Sequence, residues 1–218
     1  RPLAIRIYGL AAALLIVAWF LMDGMKLLGS DAVGMSEKEL RYGRGFLLAQ
    51  VKRTQLPMTC ANLFDQGTNK TLLPPYLVKK IGGVNVGVFS LMSDKVDLGP
   101  SRDSLFVEEP TAAAKRTVDA LRKKGATVIV LLSQLGKVES EDLVTAVDGI
   151  DAVMVGRNVP LLQQGRLIKN TVACYGGEQG QYMGRTILTL SPQKKSLSGV
   201  NETFMLSPEV GEKPAVQA

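Results

Sequence analysis

The sequence predicts an α/β domain, and three observations carry that expectation. Short apolar runs of strand length alternate with segments of helical spacing, and Gly, Pro or Asn bounds most of the runs. A content of 46% hydrophobic and 21% charged residues is enough to bury a core and excludes a wholly disordered chain. The length of 218 residues suits one domain with an appendage.

The first landmark is an uncharged run of sixteen residues, Ile7–Met22 (IYGLAAALLIVAWFLM), with Arg1 and Arg6 before it and Asp23 and Lys26 after it. About 20 apolar residues cross a bilayer, so the run reaches spanning length if Leu3–Ile5 join it and Arg6 snorkels to the surface. Ile7, Tyr8, Leu14, Leu15, Trp19 and Phe20 are then the anchor residues, with Tyr8 and Trp19 near the two interfaces. A membrane anchor over residues 1–22 is the expectation; a signal-type segment and a buried helix are the alternatives. With Arg1 and Arg6 on the cytoplasmic side, the rest of the chain lies outside the cytoplasm, in the periplasm of a bacterium.

Next come a short helix, Met22–Leu28, and a second at Gly45–Thr54 with Phe46, Leu47 and Val51 at helical spacing. Strands are expected at Leu56–Ala61, Tyr76–Ile81, Val84–Leu91, Thr127–Leu132, Ala152–Val155, Thr171–Cys174 and Thr186–Leu190. Between them, Pro110–Lys124 opens with proline at the first helical position and stops at Gly125; Ala113, Thr117, Ala120 and Leu121 form its inward stripe. Ser140–Val147 carries acidic residues in its first turn and ends before Gly149. From Ser191 the chain turns to Ser, Lys, Pro and Glu with one apolar run, Phe204–Leu206. The expected division is an anchor at 1–22, a folded domain at 23–190, and a tail or linker at 191–218 with at most one short strand.

Several chemistries are excluded. The chain has no histidine, which removes Ser-His-Asp and Cys-His catalysis and imidazole metal ligation from these residues. Two cysteines, Cys60 and Cys174, make no C-x-x-C pair; each falls in an expected strand, where a free cysteine behaves as a small buried hydrophobe, and a disulfide between them in an oxidising compartment is the alternative. The net charge of +6 is spread along the chain, so nucleic acid is not an expected partner. Gly82-Gly83 and Gly176-Gly177 read as turns rather than phosphate loops. Asp31, Glu37 and Glu39 stand close to Lys38 and Arg41 and read as a solvated charge network rather than an acidic metal site.

Six phrases, Asp31–Gly43 (DAVGMSEKELRYG), Leu56–Leu63 (LPMTCANL), Pro75–Phe89 (PYLVKKIGGVNVGVF), Val128–Gly136 (VIVLLSQLG), Gly149–Gly156 (GIDAVMVG) and Gly180–Gly184 (GQYMG), follow one another at family spacing. In order and content they resemble the 5′-nucleotidase branch of the calcineurin-like metallophosphatase superfamily. The resemblance implies an αββα two-sheet sandwich preceded here by one transmembrane helix. It also implies where a two-metal site would lie. The family's Gly-Asn-His-Glu-Phe-Asp-x-Gly is matched by Ser36–Gly43, which sets Glu37 at a ligand asparagine and Lys38 at the catalytic histidine. The family's Ser-His-Leu-Gly is matched by Ser133–Gly136, with Gln134 at a ligand histidine. Its Gly-His-x-His is matched by Gly156–Val159, with Arg157 and Val159 at the two histidines. The family's opening Asp-x-His strand has no counterpart.

Two-metal phosphoryl transfer needs oxygen or nitrogen ligands around ions about 4 Å apart, and these replacements remove that set. The resemblance therefore implies a catalytically inactive relative with no metal, no other cofactor and no catalytic residues: a membrane-held accessory subunit or binding module within a protein complex. The resemblance also implies a substrate-binding domain after this one in active members, which the residues up to Ala218 are not expected to contain. The alternative is an active phosphoesterase whose missing groups lie in further sequence or a partner chain. Lys38 and Arg157 also suggest an anion-binding cleft without metal, against which stands neutralisation by Glu37 or Glu39.

Overall fold

The computed structural model describes residues 18–177, 180–190 and 197–207. Ile7, Tyr8, Leu14 and Leu15 lie outside them. Helix α1 is described over residues 18–28, and Trp19 and Phe20 on it are exposed. Among the described residues no helix is long and apolar enough to cross a membrane.

After α1 come β1 (Val33–Gly34), helix α2 (Gly43–Thr54), β2 (Met58–Thr59), β3 (Leu63–Asp65), β4 (Lys70–Thr71), β5 (Leu77–Ile81), β6 (Val84–Met92) and β7 (Leu105–Val107). Helix α3 (Pro110–Lys123), β8 (Val128–Gln134), α4 (Lys137–Ala146), β9 (Ala152–Val155), β10 (Leu161–Ile168), β11 (Thr171–Gly176), β12 (Tyr182–Leu190) and β13 (Leu197–Met205) complete the order. A six-stranded sheet, β10-β11-β9-β8-β6-β5, is the centre. Its four middle strands are parallel, and β5 and β10 run antiparallel at the edges. The fold is mixed α/β, as the alternating pattern predicts.

Strand pleating sends alternate side chains to opposite faces. Phe89, Leu131, Val153 and Ala173 form one lateral row, and with Leu91, Val155 and Tyr175 they meet Ala113, Val118 and Leu121 of α3 and Leu143 and Val144 of α4 in the main core. The row one residue along, Ser90, Leu132, Met154 and Cys174, faces the other way. Over that face lie two two-stranded pieces, β1-β2 and β12-β13. The expected second sheet of a sandwich is thus present as two separate pieces. A second core, built on Met35, Leu40, Leu47, Met58, Leu63 and Leu105, joins α2 to β1, β2, β3 and β7. Helix α1 docks on α2: Arg53 bonds Asp23 at 2.8 Å and stacks over Trp19, while Met22 packs on the second core.

Several expectations need correction. Of Leu56–Ala61 only Met58–Thr59 is in a ladder; Cys60 and Ala61 donate instead to the carbonyls of Pro74 (3.1 Å) and Ser90 (2.9 Å). Helix α4 begins three residues before Ser140, because Gly136 at φ 89° turns the chain into helix directly after β8. The stretch after Ser191 holds β13, nine residues paired with all of β12, rather than at most one short strand. Strand β10 was hidden by its polar edge sequence and by a bulge at Gly165, where the left-handed backbone lies so close to the Ala173 carbonyl that a Cβ would sit 2.5 Å from it. Cys60 and Cys174 are both free and buried, in different clusters.

One polar contact pins α4 to the sheet. The hydroxyl of buried Tyr175 donates to Glu141 Oε1 at 2.6 Å, and Lys137 (3.1 Å) and Arg166 (3.2 Å) flank the same oxygen. The tyrosine bond, then Lys137 and Arg166, outweigh burial and hold the Glu141 carboxyl below the usual glutamate range. A depressed folded-state pKa gives stability that is present above the unfolded value and lost as pH falls through the folded one. Urea unfolding of the wild type at stepped pH should therefore show a decline in the acid range that is shallower in Glu141→Gln. Equal slopes would exclude this linkage.

Candidate functional site

The carboxyl ends of parallel strands are where ligand sites form in α/β sheets, because the loops there diverge and leave a crevice. Here that end gathers the loop after β1, the end of β8 and the loop after β9.

Glu37 and Lys38 start a 3-10 turn, Glu37–Leu40, set by a capping box. The Ser36 side chain accepts from the Lys38 N–H (3.2 Å), and Glu39 accepts from both the N–H and the hydroxyl of Ser36 at 2.7 Å each. Glu39 is therefore engaged by the turn itself. Gln134 is the last residue of β8, and its amide lies against Gly156, where an added Cβ would meet Nε2 at 2.8 Å. A side chain at this position would displace that amide.

Arg157 and Asn158 follow, both with left-handed backbone (φ 68° and 50°). For an arginine this conformation costs about 1–2 kcal/mol. It brings the guanidinium to Glu37, Nε to Oε1 at 3.6 Å, with both side chains mostly buried. The other oxygen, Oε2, is buried without a hydrogen-bond partner among the described residues. Val159 turns inward and is 3% exposed in the main core, and Lys38 is exposed.

The structure thus brings Glu37, Gln134 and Arg157 to one end of the sheet, leaves Lys38 in solvent and sends Val159 into the core. Asp31 pairs with Lys79, so Asp31, Glu37 and Glu39 have separate partners. These positions do not fit a two-metal centre. The Arg157 guanidinium sits beside one oxygen of Glu37, the Gln134 amide lies against Gly156, and an isopropyl group is buried at Val159, where the matched position would need a donor atom.

Beside them, the same end holds an open cleft of about 370 Å³, lined by Met25, Ser30, Val33, Gly34, Leu132, Gln134, Met154 and Gly156 among others. Sequence reading placed Gln134 here and missed the cleft.

No family model matches the sequence. The uncharacterized metallophosphoesterase YunD of Bacillus subtilis is 25% identical over 182 residues, covering 81% of this chain and 37% of its own. A 5′-nucleotidase precursor structure from Thermus thermophilus superposes with a TM-score of 0.77 at 23% identity, covering 87% of this chain and 41% of that one. The sulfate thiohydrolase SoxB of Thermus thermophilus superposes with a TM-score of 0.84 at 20% identity, covering 94% and 38%. At these identities the superpositions show the fold: an α/β domain of metallophosphoesterase type. In sequence the chain is similar to the metallophosphoesterase YunD and, at 26% identity over 117 residues, to a 5′-nucleotidase of Vibrio cholerae, covering 52% of this chain and 21% of that one. The chain spans about two fifths of the length of YunD and of these two structures.

A double-mutant cycle checks the Glu37–Arg157 contact. Arg157→Ala should lower stability by about 1–3 kcal/mol, less than for a fully buried pair, since it leaves a carboxylate uncompensated. Adding Glu37→Gln should restore part of the loss, with a coupling energy above roughly 0.5 kcal/mol in urea unfolding. Strict additivity would mean that the two groups do not interact.

Proposed function

We propose that this chain is a non-catalytic metallophosphoesterase-fold domain, held at a membrane by residues 1–22, that serves as an accessory or binding subunit outside the cytoplasm. The observation that carries the inactive reading is the Arg157–Glu37 ion pair at the positions matched to metal ligands. A guanidinium repels a divalent cation and already neutralises the one carboxylate at these positions. The same pairing favours an ion-pair plug over an anion trap, because Arg157 is engaged and only Lys38 remains exposed. Support for the anchor is the uncharged run Ile7–Met22, whose described end continues as a helix with Trp19, Phe20 and Leu21 exposed.

A second reading has one observation in its favour. The relatives include a nucleotidase and a hydrolase by name, and this chain spans about two fifths of their length. An active phosphoesterase would then draw its metal ligands from further sequence or a partner chain.

Elemental analysis of the purified protein should find no stoichiometric Mn, Zn or Fe, and nucleoside monophosphates should not be hydrolysed. Roughly two metals per chain, as the two-ion mechanism requires, would favour the second reading.

The anchor has its own check. Full-length protein should stay with membranes through a carbonate wash at high pH, and removal of residues 1–22 should release it. Loss of the intact chain to the wash would make the segment a peripheral or buried helix.

A further inference from the structure

Helix α1 has a docked side and an outward side, and the division follows the helical turn. Trp19, Met22 and Asp23 share the docked side. The Arg53 guanidinium lies over Trp19 and bonds Asp23 at 2.8 and 3.1 Å, and Met22 packs on the second core. Lys26, one turn on, continues this side. The outward side carries Phe20, Leu21, Gly24, Leu27 and Leu28 at the spacing of an apolar stripe, and its four large side chains are exposed. Asp23 and Lys26 are the only charged residues of α1 among the described residues, so the outward side carries no charge.

This stripe outlasts the uncharged run by six residues. As a helix, Ile7–Met22 is about 24 Å long, short of the roughly 30 Å hydrocarbon core. Counted to Leu28, the length is about 33 Å. There the helix stops: Gly29 is left-handed at φ 73°, and the Met25 carbonyl accepts from the N–H (3.4 Å) and hydroxyl (3.1 Å) of Ser30.

The chain's own remaining residues are poor candidates to cover the stripe. From Leu10 to Met22 the sequence holds no Gly, Pro, Asn, Asp, Ser or Thr that would turn the preceding segment back over α1. Residues 178–179 (EQ), 191–196 (SPQKKS) and 208–218 (PEVGEKPAVQA) are mostly polar. The neighbouring helix suits a lipid surface, since α2 contains Arg44, Lys52 and Arg53 and no acidic residue, with Arg41 just before it. Packed helices lie about 8 to 10 Å apart, within about one Debye length at physiological salt. Arg44 and Arg53 have acidic partners, whereas Arg41 and Lys52 are exposed with no ion pair among the described residues.

We propose that the lipid boundary lies at Leu28: the outward side of α1 sits in the bilayer, the folded domain covers the docked side, and α2 lies at the level of anionic headgroups. The domain is then seated on the membrane instead of suspended from it. Asp23 is accommodated at this depth because Arg53 neutralises it, and the long side chain of Lys26 reaches the headgroups. The proposal rests on the reading that residues 1–22 bring the chain to a membrane.

The test uses the full chain in vesicles of phosphatidylcholine and phosphatidylglycerol, with nitroxide labels on Leu28→Cys, on Lys52→Cys and, as an aqueous control, on Val138→Cys of α4. All three sites are exposed, so the substitutions leave the packing intact, and the native cysteines are buried. Collision with oxygen relative to a water-soluble nickel chelate should be roughly tenfold higher at Leu28→Cys than at Val138→Cys, as for a side chain below the headgroups. Lys52→Cys should fall between them. Quenching of Trp19, the single tryptophan, by brominated acyl chains reports the anchor separately and needs no substitution. A quenched Trp19 with Leu28→Cys or Lys52→Cys as open to nickel as Val138→Cys would leave the anchor standing and overturn the proposal. An unquenched Trp19 in a chain that washes off the membrane would remove both. A Leu28→Cys label shielded from oxygen and nickel alike would mean that protein covers this side, whether a second copy or the chain's own residues, and would also overturn it.

Discussion

The lateral register of β6, β8, β9 and β11 is the constraint on which the rest of this structure depends. A slip of one residue in any of these strands would exchange the side chains that meet α3 and α4 for those that meet the second layer. The register is secured from both sides. Phe89, Leu131, Val153 and Ala173 are almost completely buried under the helices, while Ser90 and Cys174 bond upward to the Thr59 carbonyl and the Thr186 hydroxyl. Apolar burial on one face and hydrogen bonds on the other therefore specify the same alignment.

That alignment also delivers the loops of the candidate site. Because β8 and β9 end side by side, Gln134 and Gly156 must touch, and the turn that follows carries Arg157 back to Glu37. Holding an arginine in a left-handed conformation is unfavourable by itself. It persists because the guanidinium offsets a mostly buried carboxylate. At this end of the sheet an ion pair therefore lies beside an apolar cleft.

Much of this was legible in the residues. Strands β5, β6, β8 and β9 and helix α3 fall within two residues of their expected bounds, since each combines a continuous apolar run or stripe with a clear stop at Gly82, Gly125 or Gly156. Strands β10 and β13 did not announce themselves, because their exposed faces carry Gln163, Gln164, Arg166 and Glu202 and neither shows clean alternation. Short β3 and β7 depend on each other across about forty residues of chain rather than on local pattern, and β4 is only two residues long. Of the site, the matched motifs brought Glu37, Gln134 and Arg157 to one place, but burial of Val159 and exposure of Lys38 depend on packing that no motif encodes.

The central sheet is drawn from one unbroken stretch, Leu77 to Gly176. Its parallel pairs are joined by nearby crossovers, so every ladder closes within that stretch. During synthesis the whole sheet can therefore assemble before β12 has been made, as domains commonly do from the N-terminal side. The β12-β13 hairpin is also local and adds onto a finished surface. Strands β1 and β2 are made first, yet they find their seat only once β6 and β8 exist beneath them. The earliest residues of the fold thus wait for a template, and an interval in which β1 and β2 are unplaced is built into the order of the chain.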